Sequence, residues 1–162
     1  MSRIAIFPGS FDPITLGHES IVRRALPLFD NIIIAIGENT QKKCMFSLDQ
    51  RRRWIEQTFA DTNKVTVDTY NMLTVDYCKQ KNAKYILRGL RNTIDFQYEQ
   101  NIALINTELE PEIETIFLLT DPKYAPVNSS FVRCPMLLKL AAVGTVQMLS
   151  ASRKQKEVSE IF

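Results

Sequence analysis

Three groups of residues have side chains suited to phosphate binding, and each group directly follows a predicted strand. The first group runs from Gly9 to His18, between a short apolar run and a helical pattern. Gly9 allows a tight turn and a close approach of the backbone to a ligand, and Ser10 offers a hydroxyl and an amide. His18 falls in the first helical turn, where the positive end of the helix dipole favours anions. A loop glycine and a capping histidine of no consequence are the alternative, but the segment as a whole favours a phosphate site.

The second group consists of two arginines, Arg88 and Arg91, which flank Gly89 and Leu90 at the end of the fourth predicted strand. A guanidinium group binds phosphate oxygens through two parallel hydrogen bonds and stays charged. Two unrelated surface arginines are the alternative. The intervening glycine and the position at a strand end favour a phosphate site instead.

The third group lies after the fifth predicted strand, between Tyr124 and Arg133. Asn128 or Ser129 can cap a helix that begins there, and serine hydroxyls together with unpaired helix amides form a phosphate cradle. A plain helix N-terminus explains the pattern equally well. A weaker candidate is Lys42, the first of two adjacent lysines in the loop after the second strand, where composition alone indicates a solvated pair.

Alternating strand and helix patterns predict the fold that must position these groups. Apolar runs predict strands at 4–7, 31–37, 65–70, 85–87 and 115–119, with a helical pattern after each of the first four. This order predicts an α/β protein with a Rossmann-like, open, parallel five-stranded sheet and helices on both faces, in a single domain over residues 1–162. Ligands bind at the carboxyl ends of the strands in such sheets, so we expect the groups to converge there.

Two further patterns concern packing. The run from Arg51 to Arg53 in the second helix is interpreted as a solvated face rather than a phosphate site. The long helix after Arg91 carries an apolar stripe close to the period of 3.6 residues. The stripe consists of Ile94, Tyr98, Ile102, Ile105 and Leu109.

Composition excludes several classes of protein. The chain of 162 residues is 45% hydrophobic and 23% charged with a net charge of +2, which does not indicate a nucleic-acid binder. No apolar run approaches the roughly 18 residues of a membrane helix, and the N-terminus lacks the core of a signal peptide, so we expect a cytoplasmic protein without membrane contacts. The three cysteines are far apart and are expected to be free thiols, and a single histidine excludes a multi-histidine metal site.

The motifs resemble those of one enzyme family. Thr15, Gly17 and His18 form Thr-x-Gly-His, a variant of the His-x-Gly-His signature of a nucleotidyltransferase superfamily. Within Gly-Ser-Phe-Asp-Pro, this variant resembles the bacterial phosphopantetheine adenylyltransferases, as do Arg-Gly-Leu-Arg at 88–91, the Lys-Lys-Cys-Met-Phe run at 42–46 and the segment 127–133. The resemblance spans roughly residues 3 to 133, and residues 134–162 are atypical for the family, because Pro135 should interrupt any helix that begins in the third group.

The resemblance implies a reaction and a set of roles. AMP would pass from ATP to 4′-phosphopantetheine, giving dephospho-coenzyme A and pyrophosphate in coenzyme A synthesis, with Mg²⁺ shielding the triphosphate. His18, Lys42 and Arg91 would be catalytic, and His18 would stabilise the transition state by donating to the α-phosphate. The acceptor would be bound by Ser10, Lys42, Thr74 and Arg88. ATP would be bound by Ser10, Phe11, His18, Gly89, Leu90, Arg91, Glu99, Tyr124, Ala125, Pro126, Val127, Asn128, Ser129 and Ser130. The resemblance also implies a homohexamer and makes feedback by coenzyme A plausible.

The chemistry available to these residues agrees with that reaction. They hold phosphates, and the sequence lacks the Gly-x-x-x-x-Gly-Lys-Ser/Thr loop of phosphate-loop ATPases. A phosphate monoester acceptor is already ionised and needs no general base, so positioning and charge neutralisation are sufficient. Three alternatives stay open: a cytidylyltransferase or nicotinamide-nucleotide adenylyltransferase, a nucleotide sensor without catalysis, and a tRNA-binding fragment.

Overall fold

A computed structural model describes residues 2–38 and 43–124 and contains a five-stranded parallel sheet. The strands are β1 (Ile4–Gly9), β2 (Asn31–Gly37), β3 (Val65–Tyr70), β4 (Tyr85–Leu90) and β5 (Glu114–Leu119). They lie in the order β3-β2-β1-β4-β5, and all four neighbouring pairs are parallel. The helices are α1 (Leu16–Ala25), α2 (Leu48–Thr58), α3 (Thr74–Gln80) and α4 (Thr93–Leu109), with a short 3-10 turn at Pro122–Tyr124. The predicted α/β class, strand number and parallel order are confirmed.

Two apolar clusters cover the two faces of the sheet. Successive side chains of a strand point to opposite faces, so Phe7 and Ile6 of β1 belong to different clusters. Helices α1 and α2 pack with the Phe7 cluster through residues such as Val22 and Ile55. Helix α3 packs with the Ile6 cluster through residues such as Val75. The interior strand β2 is buried over five consecutive residues, as its continuous apolar run predicted.

Strand β4 is longer than predicted. It continues through Arg88 and Gly89 to Leu90, so Arg88 lies within the strand and Arg91 directly follows it. Helix α1 packs closely at this point, because a Cβ added to Gly89 would lie 3.0 Å from Cγ1 of Ile21. The glycine therefore allows the helix to approach the strand, which also brings His18 toward both arginines.

Four of the five residues of the apolar stripe of α4 are exposed, and Ile102 is half-buried. Its members include Ile94, Tyr98 and Ile105, of which Ile94 is 75% exposed. The only buried residue of α4 is Glu99. Helix α4 faces the sheet with that carboxylate and with Phe96, whose ring meets Phe117 of β5 edge to face.

Two further results concern single elements. In the described ranges, no helix is both long enough and apolar enough to cross a membrane. Cys44 and Cys78 are free thiols, as expected, whereas Cys134 lies outside the described residues.

Candidate active site

The candidate site lies at the carboxyl end of the sheet, where strands β1 and β4 separate. Strand β1 pairs with β2 at six positions but with β4 at only two, Ala5 with Tyr85 and Ile6 with Ile86. Beyond these pairs, the guanidinium of Arg88 donates from Nη1 to the carbonyl oxygen of Pro8 at 2.7 Å. A crevice at this position is the usual ligand site of an open α/β sheet.

His18 is held by the residue that caps its helix. The backbone N–H of Thr15 donates to Nδ1 of His18 at 3.0 Å, and the Thr15 hydroxyl lies 3.0 Å from the same atom. In return, the backbone N–H of His18 donates to the Thr15 hydroxyl oxygen. An atom that accepts an N–H cannot itself carry the proton, so the neutral ring has its proton on Nε2. The capping pair therefore leaves an Nε2–H donor for a ligand.

The surroundings of His18 favour its neutral form. The ring is partly buried against Phe11, with centroids 5.2 Å apart in an edge arrangement, and lies near Phe7. Burial, followed by the positive charges of Arg91 and Arg88, lowers the pKa of His18 from 6.5 to about 4. At neutral pH the site thus presents an uncharged N–H donor beside two cations.

Each of the two arginines is paired with a carboxylate of α4. Arg88 donates from Nε to Glu99 at 2.7 Å and also from Nη2 to the second oxygen of the same carboxylate. Arg91 donates from Nε and Nη2 to Asp95 at 2.7 and 2.9 Å. This pairing lowers the pKa of the Asp95 carboxyl below its usual value. The site therefore contains two oriented guanidinium groups rather than two freely moving ones.

A groove of about 540 Å³ extends from this position along α4 and across the ends of β1, β2 and β3. Predicted acceptor residues Ser10, Thr74 and Arg88 all line it. Tyr70 also lines it, and its hydroxyl lies 3.0 Å from that of Thr74. Tyr98 of α4 lies in the remaining wall. The groove therefore brings together Ser10, Thr74 and Arg88, three predicted acceptor residues that are far apart in sequence.

A buried carboxylate and a buried arginine brace the loop after β1. Asp12 accepts the backbone N–H groups of Met45 and Phe46, both at 2.9 Å. Arg51 is buried and donates from Nη1 to the carbonyl oxygen of Ser10 at 2.6 Å. The solvated role predicted for Arg51 is therefore wrong, because its helix turns that side chain toward the loop, although Arg52 and Arg53 are exposed as predicted.

Three of the predicted ATP residues have side chains that are buried or that pack near α1. The side chains of Phe11 and Leu90 are buried in the protein. Tyr124 lies beside the start of α1, since a Cβ added to Gly17 would be 3.8 Å from the Tyr124 Cβ. The predicted site residues outside the described ranges are Lys42, Ala125, Pro126, Val127, Asn128, Ser129 and Ser130.

Sequence reasoning missed four residues of the site. Asp12, Arg51, Tyr70 and Asp95 each touch a predicted site residue or its loop. For Asp95, a usable signal was present, since it precedes Glu99 by one helical turn and lies four residues after Arg91. The contacts of Asp12 and Arg51 join distant parts of the chain, and no local pattern indicates them. Tyr70 contacts Thr74 only four residues away, but the two lie on different elements, at the end of β3 and the start of α3.

Comparison with known proteins gives consistent matches. A family model described as cytidylyltransferase-like matches residues 6–134. A phosphopantetheine adenylyltransferase of Flavobacterium johnsoniae is 58% identical over 131 residues, which cover 81% of this chain and 86% of that protein. A protein of the same name from Leptospira biflexa is 51% identical over 133 residues, covering 82% and 83% of the two chains.

Solved structures share the fold at low sequence identity. A bifunctional NMN adenylyltransferase/ADP ribose pyrophosphatase from Francisella tularensis superposes with a TM-score of 0.71 at 20% identity, covering 99% of this chain and 50% of that one. This chain thus spans half the length of that bifunctional protein. A lipopolysaccharide core biosynthesis protein from Thermoplasma volcanium superposes with a TM-score of 0.54 at 16% identity, covering 75% and 98%.

Proposed function

Because the chain belongs to the cytidylyltransferase-like family and, within it, to the phosphopantetheine adenylyltransferases, we propose that it transfers AMP from ATP to 4′-phosphopantetheine. An oxygen of the acceptor phosphate forms a bond to the α-phosphorus of ATP, and the bond from that phosphorus to pyrophosphate breaks. The products are dephospho-coenzyme A and pyrophosphate. The observation that carries the proposal is the Nε2–H donor of His18, held by Thr15 beside two arginines.

The proposed mechanism requires placement of charges rather than proton transfer. The acceptor phosphate is ionised at neutral pH and attacks without a general base. Charge grows on the oxygens of the α-phosphate in the transition state, and a preorganised donor such as the His18 Nε2–H stabilises it there. A neutral donor suits this position. Because the pKa of His18 is about 4, the ring keeps the same protonation state over the working pH range.

The groove supports the acceptor assignments. In the proposal, Arg88 and Ser10 hold the acceptor phosphate at the crevice, and Thr74 lies farther along the groove beside the chain of the acceptor. Lys42 would add a second cation to that phosphate, although it lies outside the described residues. Arg91 would hold the nucleotide phosphates on the His18 side. The acceptor phosphate and the phosphates of ATP would thus meet between positively charged side chains, which lowers the repulsion between the two substrates.

Magnesium is proposed to arrive with the nucleotide. In residues 2–38 and 43–124, no group of three or more His, Cys, Asp or Glu side chains could hold a metal ion. Mg²⁺ commonly keeps several waters and binds through substrate phosphates, so the cationic site fits a metal complex of ATP better than a metal held by protein. When bound, the ion would neutralise charge on the leaving pyrophosphate. Turnover should therefore follow the concentration of the Mg²⁺ complex of ATP.

Release of pyrophosphate from ATP tests the proposal directly. Release should require 4′-phosphopantetheine, and CTP or a nicotinamide mononucleotide acceptor should not replace the proposed substrates. His18→Ala should abolish most turnover while its unfolding midpoint stays near that of the wild type, and Lys42→Ala should weaken catalysis or acceptor binding. Lys64→Ala is the matched control, because Lys64 directly precedes β3, at the amino end of the strands, and contacts the Phe29 carbonyl. It should change neither turnover nor acceptor binding. Tight ATP binding without release in the wild type would contradict the proposed reaction.

The assembly proposed from the family is a homohexamer. The exposed stripe of α4 supports contact with further copies, because monomeric proteins seldom leave contiguous large apolar side chains in water. Ile105→Lys should lower the mass measured by light scattering. Gln100→Lys on another exposed face of α4 is the control and should not. An unchanged mass for Ile105→Lys would remove α4 from the interface.

Two remaining parts of the proposal concern regulation and location. Coenzyme A shares the pantetheine chain with the acceptor and an adenine nucleotide with ATP, so we expect it to compete with both substrates. A competition assay with each substrate in turn tests this. A cytoplasmic location remains a proposal, to be tested by fractionation of cells.

A further inference from the structure

Helix α4 presents two carboxylates one turn apart to the two arginines of the site. Asp95 and Glu99 are four residues apart on the helix, so they lie on the same face. Arg88 and Arg91 are three residues apart at the end of β4, and each arginine meets one carboxylate with two nitrogens. Such bidentate pairs fix the plane of a guanidinium group as well as its position.

The N–H donors of Arg88 fall into two sets, those that contact the protein and those that remain for a ligand. A guanidinium group has five N–H donors, of which Arg88 uses two on Glu99 and one on the Pro8 carbonyl. One N–H on each terminal nitrogen is left, which is the number that a phosphate accepts in a forked contact. The protein contacts thus select which edge of Arg88 is offered to an anion.

Glu99 belongs to the wall of the groove, but its carboxylate is already engaged by Arg88. Its side chain is only 11% exposed, and both of its oxygens are engaged by Arg88. A carboxylate can only accept hydrogen bonds when ionised, and it repels phosphate oxygens at close range. The geometry therefore gives Glu99 a direct contact with Arg88, whereas a contact with the nucleotide is what family resemblance implies for it.

We propose that Glu99 and Asp95 are positioning residues, Glu99 for the arginine that holds the acceptor phosphate and Asp95 for the arginine that holds ATP. The inference rests on the proposed function for the assignment of Arg88 and Arg91 to the two substrates. Each carboxylate restrains one guanidinium and offsets part of its charge. Loss of either carboxylate should therefore loosen the geometry while making the site more positive.

Glu99→Gln and Asp95→Asn test the proposal, and each serves as the control for the other. An amide replaces one of the two acceptor oxygens with an NH2 donor, so the two-oxygen contact with the guanidinium edge is lost and the arginine should lose its fixed plane. Glu99→Gln should lower kcat/KM for 4′-phosphopantetheine on the order of ten- to a hundredfold and leave the KM for ATP nearly unchanged. Asp95→Asn should instead lower kcat/KM for ATP and leave the KM for 4′-phosphopantetheine nearly unchanged. Glu99→Asp, which keeps the charge but shortens the side chain, should recover part of the loss.

A binding measurement separates positioning from a general loss of structure. Inorganic phosphate should bind Glu99→Gln more tightly than the wild type, because the charge of Arg88 is no longer offset. A damaged fold would weaken phosphate binding and catalysis together, and that outcome would overturn the proposal. A raised KM for ATP in Glu99→Gln, with an unchanged KM for the acceptor, would also overturn it by making Glu99 a nucleotide ligand.

The two proposals fail in different experiments. If the wild type released no pyrophosphate with 4′-phosphopantetheine, the proposed function would fail before any variant was compared. Calorimetry with inorganic phosphate needs no turnover, so it would still test whether Glu99 restrains and offsets Arg88. Weaker phosphate binding by Glu99→Gln in that case would overturn the positioning role as well.

Discussion

The pKa and tautomer of His18 can be measured without ambiguity, because the chain contains only one histidine. Its pKa of about 4 lies roughly two and a half pH units below the ordinary value. That difference corresponds to about 3 kcal/mol for placing a positive charge on the ring inside the folded protein. Burial is the largest cause, followed by the charges of Arg91 and Arg88. Removing Arg91 as Arg91→Gln should therefore raise the pKa only part of the way.

Nuclear magnetic resonance of histidine labelled with ¹⁵N provides the assay. At neutral pH we expect Nδ1 without a proton and Nε2 with one, since the Thr15 N–H points at Nδ1. Titration should place the pKa near 4, and addition of ATP should raise it, because phosphate offsets the arginine charges. Arg24→Gln is the control and should leave the titration unchanged, because Arg24 is exposed and donates to the Leu119 carbonyl of β5 rather than to His18. A pKa near 6.5, or a proton on Nδ1 at neutral pH, would refute this account of the site.

The same pKa predicts how stability depends on pH. The folded pKa of His18 lies below the unfolded value, so between about pH 6.5 and pH 4 the unfolded chain binds more protons. The contribution of the neutral His18 ring to the free energy of unfolding is therefore fully present above pH 6.5. It is lost progressively as the pH falls toward 4. Wild type and His18→Gln should differ progressively over this interval in urea unfolding. A constant difference would contradict the prediction.

The remaining predictions concern the loop after β1. Asp12→Asn should lower the free energy of unfolding by about 1–3 kcal/mol, because one of the two oxygens that accept the backbone N–H groups becomes an NH2 donor. Urea unfolding, compared with that of exposed Glu108→Gln, measures this. No difference from Glu108→Gln would contradict the clamp. Gly9→Ala should reduce turnover, because the new Cβ would lie 2.9 Å from the Phe11 ring, which packs against His18. An unchanged rate of pyrophosphate release would show that the ring moves without affecting the histidine.

Local patterns predicted much of the fold and part of the site. Strands β2 and β3 begin and end where their apolar runs do, because burial on one or both faces selects the side chains residue by residue. The position of His18 in the first turn of α1 also follows from nearby residues, since the cap that holds it is three residues away. The tautomer could not be predicted in the same way, because it depends on the distance from the Thr15 N–H to Nδ1.

Contacts between distant segments explain the differences. Arg51 lies in a run of three arginines that looks uniform in the sequence, yet only Arg51 reaches the loop after β1, because α2 turns it inward. The end of β4 was predicted too early for a related reason. Arg88 is a charged residue inside a strand, and only its pairing with Glu99 and Pro8 makes that position tolerable.

The amino-acid sequence alone determined which residue types follow each strand, and therefore the phosphate-binding character of the site and its place at the carboxyl edge of a parallel sheet. Tertiary structure decided how these groups are used. It set the separation of β1 and β4, the pairing of Arg88 and Arg91 with Glu99 and Asp95, and the exposure of the α4 stripe. Secondary structure and strand-end placement arise from interactions within a few residues. The protonation, orientation and exposure of a side chain depend on which distant segments pack around it.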